Sequence, residues 1–406
     1  MFEKLGVPVT KTDETRGRPL ALAAVAIELG VMFVGAVMPT PLYPLYRIEF
    51  GFSGVTLTLV YAVYVLGNIA ALLFFGRLAD QIGRRSATLP AIGVGMASAI
   101  AFALAASTPW LFVARALSGF STGLAAGAAT AWIAELYSGR NEGGAARIAA
   151  AANFFGCAVG PVLGGLLAQF APWPLRLPFC VYLFMLGIMA GVICFVPETL
   201  PTPKSLSEVS LRPRLGVPQS IWLQFISPAV GGFAVFALIG FYAALIPGLL
   251  HETLNYPAPM IAGALVAEVF GVAAVTILST GRLGSQFTLM VALALLLPSV
   301  WLLVGAEIAR SLVLLLIAAG LAGISGGLGY RGTLEVINRI APADRRSEVV
   351  SSYLIALFAG NSVPVIGIGV LSAAASPLIA NVTFAIVTTL LAGIAAWTGI
   401  KYAPDR

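Results

Sequence analysis

The chain has 406 residues, of which 59% are hydrophobic and only 10% charged, with 44 Gly, 25 Pro and a formal net charge of +6. An ordinary water-soluble domain carries about 25% charged residues. This composition therefore cannot coat a solvated surface, which excludes a soluble enzyme, a nucleic-acid binder and a disordered chain. The basic excess reads as charge placed beside a membrane, with the lipid bilayer as a partner and no nucleic acid.

Residues 1–18 are polar and mixed in charge and read as a cytoplasmic tail, since the apolar stretch that follows is too long for a cleavable signal peptide. A membrane crossing needs about 20 mostly apolar residues, because the hydrocarbon core is about 30 Å thick. Spans 1 to 6 are predicted at 19–42, 52–76, 87–106, 109–134, 145–170 and 176–196. Spans 7 to 12 follow at 219–247, 258–279, 286–306, 311–335, 347–373 and 377–400. Residues 197–218, rich in Pro, Ser and Arg, read as a flexible cytoplasmic linker between an N-terminal bundle (19–196) and a C-terminal bundle (219–400), and 401–406 as a second cytoplasmic tail. Helices are the expected spanning element, since barrel strands would be shorter and would alternate.

The cysteines Cys157, Cys180 and Cys194 fall inside spans 5 and 6 and are expected to be free buried thiols, with no metal site. With the N-terminus in the cytoplasm, every Lys and Arg falls at an inner loop, tail or helix end except Arg47, Arg176 and Arg310, which face outward, and Arg115, which lies within span 4. Arg16, Arg18, Arg77, Arg140, Arg147, Arg212, Arg214, Arg339, Arg345 and Arg346 are among those inside. That asymmetry predicts a multi-pass inner (plasma) membrane protein with both termini cytoplasmic.

Two short strings recur six spans apart. Gly76-Arg77-Leu78 after span 2 matches Gly281-Arg282-Leu283 after span 8, and Gly119-Phe-Ser-Thr-Gly123-Leu124 in span 4 matches Gly323-Ile-Ser-Gly-Gly327-Leu328 in span 10. Two related halves packed face to face create a central cavity at their interface, the arrangement that transporters use.

The loop after span 2 reads Gly76-Arg77-Leu78-Ala79-Asp80-Gln81-Ile82-Gly83-Arg84-Arg85. Gly76 and Gly83 are expected to allow a tight turn there, and Asp80 to meet a helix N-terminus or a nearby Arg. Span 4 carries Arg115-Ala-Leu-Ser118-Gly119, and span 5 carries Gly156-Cys-Ala-Val-Gly160-Pro161-Val-Leu-Gly164-Gly165. The glycines permit close helix approach and Pro161 removes a backbone donor. Together these strings resemble the signature loop, the span 4 arginine motif (with Ser118 where Gln is usual) and the span 5 antiporter motif of the major facilitator superfamily. Pro197-Glu198-Thr199 resembles the span 6 ending of its drug-exporting members. The resemblance implies an all-α integral membrane fold of 12 transmembrane helices, in two pseudo-symmetric six-helix bundles around a central cavity lined by spans 1, 4, 7 and 10. It points to the drug:proton antiporter branch.

Ionisable residues inside a membrane are costly and so are functional candidates. Glu28, near mid-depth in span 1, and Arg115 in span 4 are expected to approach one another, with Glu28 as the titrating carboxylate; a structural ion pair is the alternative. Glu268 in span 8 is either a second acid or a hydrogen-bonding partner of a neighbouring helix. Glu135 is expected to pair with Arg84 or Arg85 in a cytoplasmic latch, with Arg282 and Glu335 doing likewise in the C-terminal half. Arg331 and Glu335, one helical turn apart, also suit a simple exposed pair. Candidate substrate contacts are Tyr61, Tyr64 and Asn68 in span 2, Asn153 in span 5, Gln224, Phe236 and Tyr242 in span 7, and Asn361 in span 11; His251 is placed in an outer loop.

The function expected is secondary active export, exchanging protons for a small amphiphilic or cationic compound by alternating access, with the proton gradient as energy source and no cofactor. An apolar cavity holding one or two acids would suit lipophilic cations. The alternative is a proton-coupled transporter of a metabolite such as a sugar, carboxylate or siderophore, which would want more polar groups. A membrane enzyme would want convergent His, Asp or Cys clusters, and the chain has one His. A monomer is expected.

Overall fold

The computed structural model describes residues 11–138, 143–200, 213 and 215–402. Arg140, Arg212, Arg214, the side chain of Arg16, most of the expected linker and the last residues of the expected C-terminal tail lie outside the described residues. Every regular element among the described residues is a helix, and 12 are long and apolar enough to cross a membrane. In chain order the spans are Lys11–Val37, Gly54–Phe75, Arg84–Ala103, Thr108–Leu136, Gly144–Phe170, Leu177–Phe195, Trp222–Ala244, Pro259–Ser279, Ser285–Ala309, Leu312–Ile340, Arg346–Ala374 and Pro377–Lys401. Large apolar side chains such as Phe184, Phe195 and Trp397 project outward, as a lipid-facing surface requires.

Two boundaries differ from the sequence reading for the same reason. Span 1 ends at Val37 rather than residue 42, because Pro39 and Pro41 interrupt the ladder, and a short helix Tyr43–Phe50 follows. Span 7 ends at Ala244, and a separate short helix Ile246–Glu252 starts with Pro247 in its first turn. His251 therefore sits in a helix and not in a loop. These two short helices pack on one another at the end of the bundle opposite the arginine-rich loop after span 2; the arginine-rich end is called the basic end below. Cys157 is buried, whereas Cys180 and Cys194 are exposed on the outer face of span 6, contrary to the expectation of three buried thiols.

The halves repeat one another in contact detail. Ser98 Oγ donates to Ala114 O (2.8 Å) and Ser121 Oγ to Ala91 O (3.0 Å), tying span 3 to span 4. Ser299 Oγ donates to Ala318 O and Ser325 Oγ to Ala292 O (both 2.8 Å), tying span 9 to span 10 in the same way. The repeated glycines explain themselves here. A Cβ on Gly119 would lie 1.8 Å from Tyr64 O of span 2, and one on Gly327 would lie 2.6 Å from Ala273 O of span 8. Span 4 thus presses on span 2 as span 10 presses on span 8, with small residues allowing the close approach that membrane helices need for packing.

Candidate functional site: a cavity between the halves

Spans 5 and 11 join the halves. A Cβ on Gly156, Gly160 or Gly164 would meet Gly30 O (2.0 Å) or Val34 O (2.3 Å) of span 1, or Met38 O (2.4 Å) just beyond its end. One on Gly165 would meet Pro259 O of span 8 (2.5 Å), and Pro161 O itself lies 2.2 Å from where Gly263 would carry a Cβ. The span 5 glycine string is thus a seam with span 1 on one side and span 8 on the other. Span 11 does the same for spans 7 and 2: a Cβ on Gly360 would lie 2.4 Å from Phe233 O, and one on Gly369 2.7 Å from the Thr58 side chain.

Between these seams lies a cavity of about 510 Å³, within the range of small-molecule sites. Its walls run from mid-depth out to Ala134, Ala146, Asn338 and Val350, near the basic ends of spans 4, 5, 10 and 11. At the opposite end the halves are held together by Arg47 donating to Glu252 and by the Met260 amide donating to Gln169 Oε1 (3.1 Å). Aromatic rings from both halves meet at the cavity. Phe154 lies 5.4 Å from Tyr330 and 6.1 Å from Phe270, and Phe236 lies 6.0 Å from Tyr330.

Six of the eight expected substrate contacts line this space: Tyr61, Tyr64, Asn68, Asn153, Phe236 and Asn361. Tyr61 Oη donates to Asn361 Oδ1 across the interface (3.2 Å). Gln224 and Tyr242 do not line it. Gln224 lies in the first turn of span 7, and Tyr242 is fully enclosed within the C-terminal half, stacked edge-on against Phe241. Phe33, Phe154, Phe270, Tyr330 and Phe358 also line the cavity and were missed by sequence reasoning, because an aromatic facing the cavity and one facing lipid, such as the neighbouring Phe155, look alike in an apolar run.

The membrane charges do not come together as expected. Arg115 lines the cavity, its side chain only 1% exposed, with Nη1 donating to Ala36 O (2.7 Å) and the guanidinium over the faces of Tyr64 (4.6 Å) and Tyr61 (5.5 Å). Glu28 forms no ion pair with it among the described residues. Glu28 is 0% exposed and sits off the cavity wall, with neither carboxylate oxygen hydrogen-bonded. The helix geometry accounts for this: residues 28 and 33 are 1.4 turns apart, so the Phe33 side faces the cavity while the Glu28 side faces away. Glu268 is half-buried against Gly320 of span 10 and also off the wall. A further buried acid, Glu307, accepts from Asn381 Nδ2 (2.7 Å) at the far end of span 9; its place at the edge of an apolar run hid it.

At the basic end, Gly83 has φ +106°, a left-handed backbone that suits glycine, whereas Gly76 keeps helical dihedrals and is not a conformational hinge. Arg84, itself 6% exposed, pairs with Glu135 (Nη2–Oε1 2.6 Å) and with Asp80. Arg85 turns away to donate to Cys194 O (3.0 Å). Glu198 accepts from the backbone amides of Arg84 (2.9 Å) and Arg85 (3.0 Å), capping the first turn of span 3, while Thr199 Oγ1 bonds Glu135. The Pro-Glu-Thr ending of span 6 is thus tied into the loop after span 2.

In the C-terminal half, Arg282 is exposed and Glu335 pairs with Arg331 instead (Nε–Oε1 2.8 Å). The physical reason is register. Where span 3 starts with Arg84, span 9 starts with Ser285, and no basic residue stands there to receive a carboxylate. Arg331 is not in an exposed pair: it is 6% exposed and donates to Thr280 O and to Leu283 O (2.6 Å). Arg147 of span 5 reaches across the halves to Gly281 O of the same loop (3.0 Å).

Twelve crossing helices in two repeated sets around a central cavity define a membrane transport protein. The family model described as Major Facilitator Superfamily matches residues 20–363, and the chain belongs to that superfamily, as a transporter rather than an enzyme. Efflux pump dotC of Dothistroma septosporum is 29% identical over 47% of this chain and 33% of its own length. Quinolone resistance protein NorA of Staphylococcus aureus is 26% identical over 49% of this chain and 50% of its own length. The chain therefore aligns with half or less of each of these relatives. In fold it resembles a peptide transporter POT solved in complex with sulfate (TM-score 0.76, 13% identity, 95% of this chain and 94% of that one). It likewise resembles a bacterial homologue of the human lysosomal transporter Spinster, inward-facing and occupied (TM-score 0.74, 16% identity, 96% and 98%).

Proposed function

We propose that the protein is a proton-coupled exporter of a small amphiphilic compound in an inner (plasma) membrane, working by alternating access with its basic end in the cytoplasm. The observation that carries this reading is the aromatic cavity between the halves, whose walls run out to the basic end while Arg47–Glu252 and Met260–Gln169 tie the halves at the other end. The Lys and Arg bias toward the basic end supports that orientation. The efflux-pump names of the partial relatives support the direction.

Glu28 is the residue we assign to the coupling proton. A carboxylate enclosed without a partner is costly as a fixed charge, so the position suits a group whose charge changes during the cycle. One turn on, Met32 O accepts from Tyr182 Oη (3.2 Å), and two turns on, Ala36 O holds Arg115. A change at Glu28 therefore acts on the helix that carries part of the cavity wall. Glu268, half-buried against Gly320 and off the cavity wall, is the second candidate for the proton.

Reconstitution into proteoliposomes under an imposed pH gradient, with a panel of dyes, antibiotics and metabolites, tests the reading. Gradient-driven flux of at least one compound is expected. The Glu28→Gln variant should lose it while keeping exchange at zero gradient. Flux indifferent to the gradient for every transported compound would sink proton antiport, and a Glu28→Gln variant that still responds to the gradient would remove Glu28 from the role.

A further inference from the structure

The charge lining the cavity has one sign. Among its lining residues Arg115 is the single ionised side chain, and no Asp or Glu reaches the wall. Glu28 and Glu268 face elsewhere, so the acids that would have suited a lipophilic cation are not there to receive one. Arg115 is also under-used by the protein. Its guanidinium is enclosed and rests on two tyrosine faces, one carbonyl accepts from Nη1, and Nε has no acceptor. The position matching Arg115 in span 10 is Ala319, so the C-terminal half offers no compensating charge.

A desolvated guanidinium with a free donor is strongly stabilised by an acidic group, because a charge-assisted hydrogen bond in a low-dielectric site is about twice as strong as a neutral one. The same charge repels a cation over the same short distance. Around it the wall is apolar and aromatic, with Phe154, Phe236 and Tyr330 contributed by both halves. We infer that the cargo is an amphiphilic anion, with a carboxylate or similar acidic head against Arg115 and an apolar, ring-bearing body against those three aromatics. This rests on the transporter reading above and narrows its cargo.

Three probes sharing one fluorescent body separate the possibilities: dansylglycine (anionic), dansylamide (neutral) and dansylcadaverine (cationic). Binding to the purified full-length protein in detergent, read by dansyl emission against protein-free micelles, should favour dansylglycine over dansylcadaverine by about tenfold or more. Arg115→Gln should erase that preference, and Arg115→Lys should retain part of it, at unchanged thermal unfolding. The wild-type ranking needs no variant to fold. Equal or tighter binding of dansylcadaverine, no binding of dansylglycine, or a preference that survives Arg115→Gln would each overturn the inference. The two readings fail separately. Anion-selective binding without gradient-driven flux would sink proton antiport and keep the anion site, whereas gradient-driven flux of cations alone would sink the anion site and keep antiport.

Discussion

Ser98 and Ser121 in one half, and Ser299 and Ser325 in the other, make the same pair of hydrogen bonds between equivalent helices. Gly160 and Gly360 likewise press on the backbone of spans 1 and 7. The charges follow no such repeat. Arg115 has Ala319 as its counterpart, and the Asp80–Arg84–Glu135 cluster has as its counterpart a loop held by Arg331 on backbone carbonyls. Two copies of one packing scheme have thus diverged where chemistry is done. The packing contacts are thus shared between the halves, while the polar groups differ.

Breaking the shared part should cost most. Gly160→Leu must displace Val34 O and the Met38 amide, and Gly360→Leu must displace Phe233 O. Overpacking of this kind costs about 1–3 kcal/mol, and more where backbone is in the way. Thermal unfolding in detergent should fall for both variants by similar amounts, with flux lost in both. A harmless Gly360→Leu beside a damaging Gly160→Leu would mean that the seams are not equivalent.

The next effect separates the halves. Glu135→Gln strips Arg84 of one of its two ion pairs, leaving it Asp80 alone. Removing one partner of a mostly buried charge is destabilising, and with Glu135 itself part-exposed about 1–2 kcal/mol is expected. Glu335→Gln leaves Arg331 its carbonyl acceptors and should cost below about 1 kcal/mol. Exchange rates in proteoliposomes should drop more for the first variant than for the second. The reverse order would place the gate in the C-terminal half. Glu198→Gln comes after these: its carboxylate caps the first turn of span 3, and losing such a cap costs about 1 kcal/mol. Faster hydrogen exchange at the Arg84 and Arg85 amides would register the loss, and unchanged protection there would show the cap to be idle.

The number and order of spans were legible in the sequence because a crossing helix must be long and apolar, and the repeat was legible because close approach fixes glycine at set positions. Six of the eight expected substrate contacts fall on the cavity wall because polar or aromatic groups at mid-depth need a reason to be there. What stayed hidden was direction. Glu28 and Arg115 are each plain in the sequence, but which face of span 1 turns to the cavity depends on how it packs against spans 4, 5 and 6. Glu198 was visible only as part of a motif; that it caps span 3 depends on two segments more than a hundred residues apart meeting in space. Arg282 was matched to Glu335 by analogy with Arg84 and Glu135, and the shorter loop after span 8 defeated that analogy.

The smallest effect probes the end where both halves contribute one charge each. Arg47 and Glu252 sit on the short helices that the proline-interrupted ends of spans 1 and 7 create, and their pair is well exposed, at 39% and 54%. An exposed pair contributes about 0.2–1 kcal/mol, which shifts a two-state equilibrium by about 1.4- to 5-fold. Arg47→Ala should therefore leave unfolding unchanged while raising the fraction of molecules open at that end. A cysteine at Ser372, beside the pair in a smaller pocket of about 320 Å³, placed in a background without Cys157, Cys180 and Cys194, reads that fraction by labelling rate. The effect should shrink in high salt as screening weakens the pair, and the doubly reversed variant, Arg47→Glu with Glu252→Arg, should restore slow labelling. If it labels as fast as Arg47→Ala, the two side chains are neighbours without being a latch, and closure at that end rests on the Met260–Gln169, Thr58–Gly369 and Tyr61–Asn361 contacts instead.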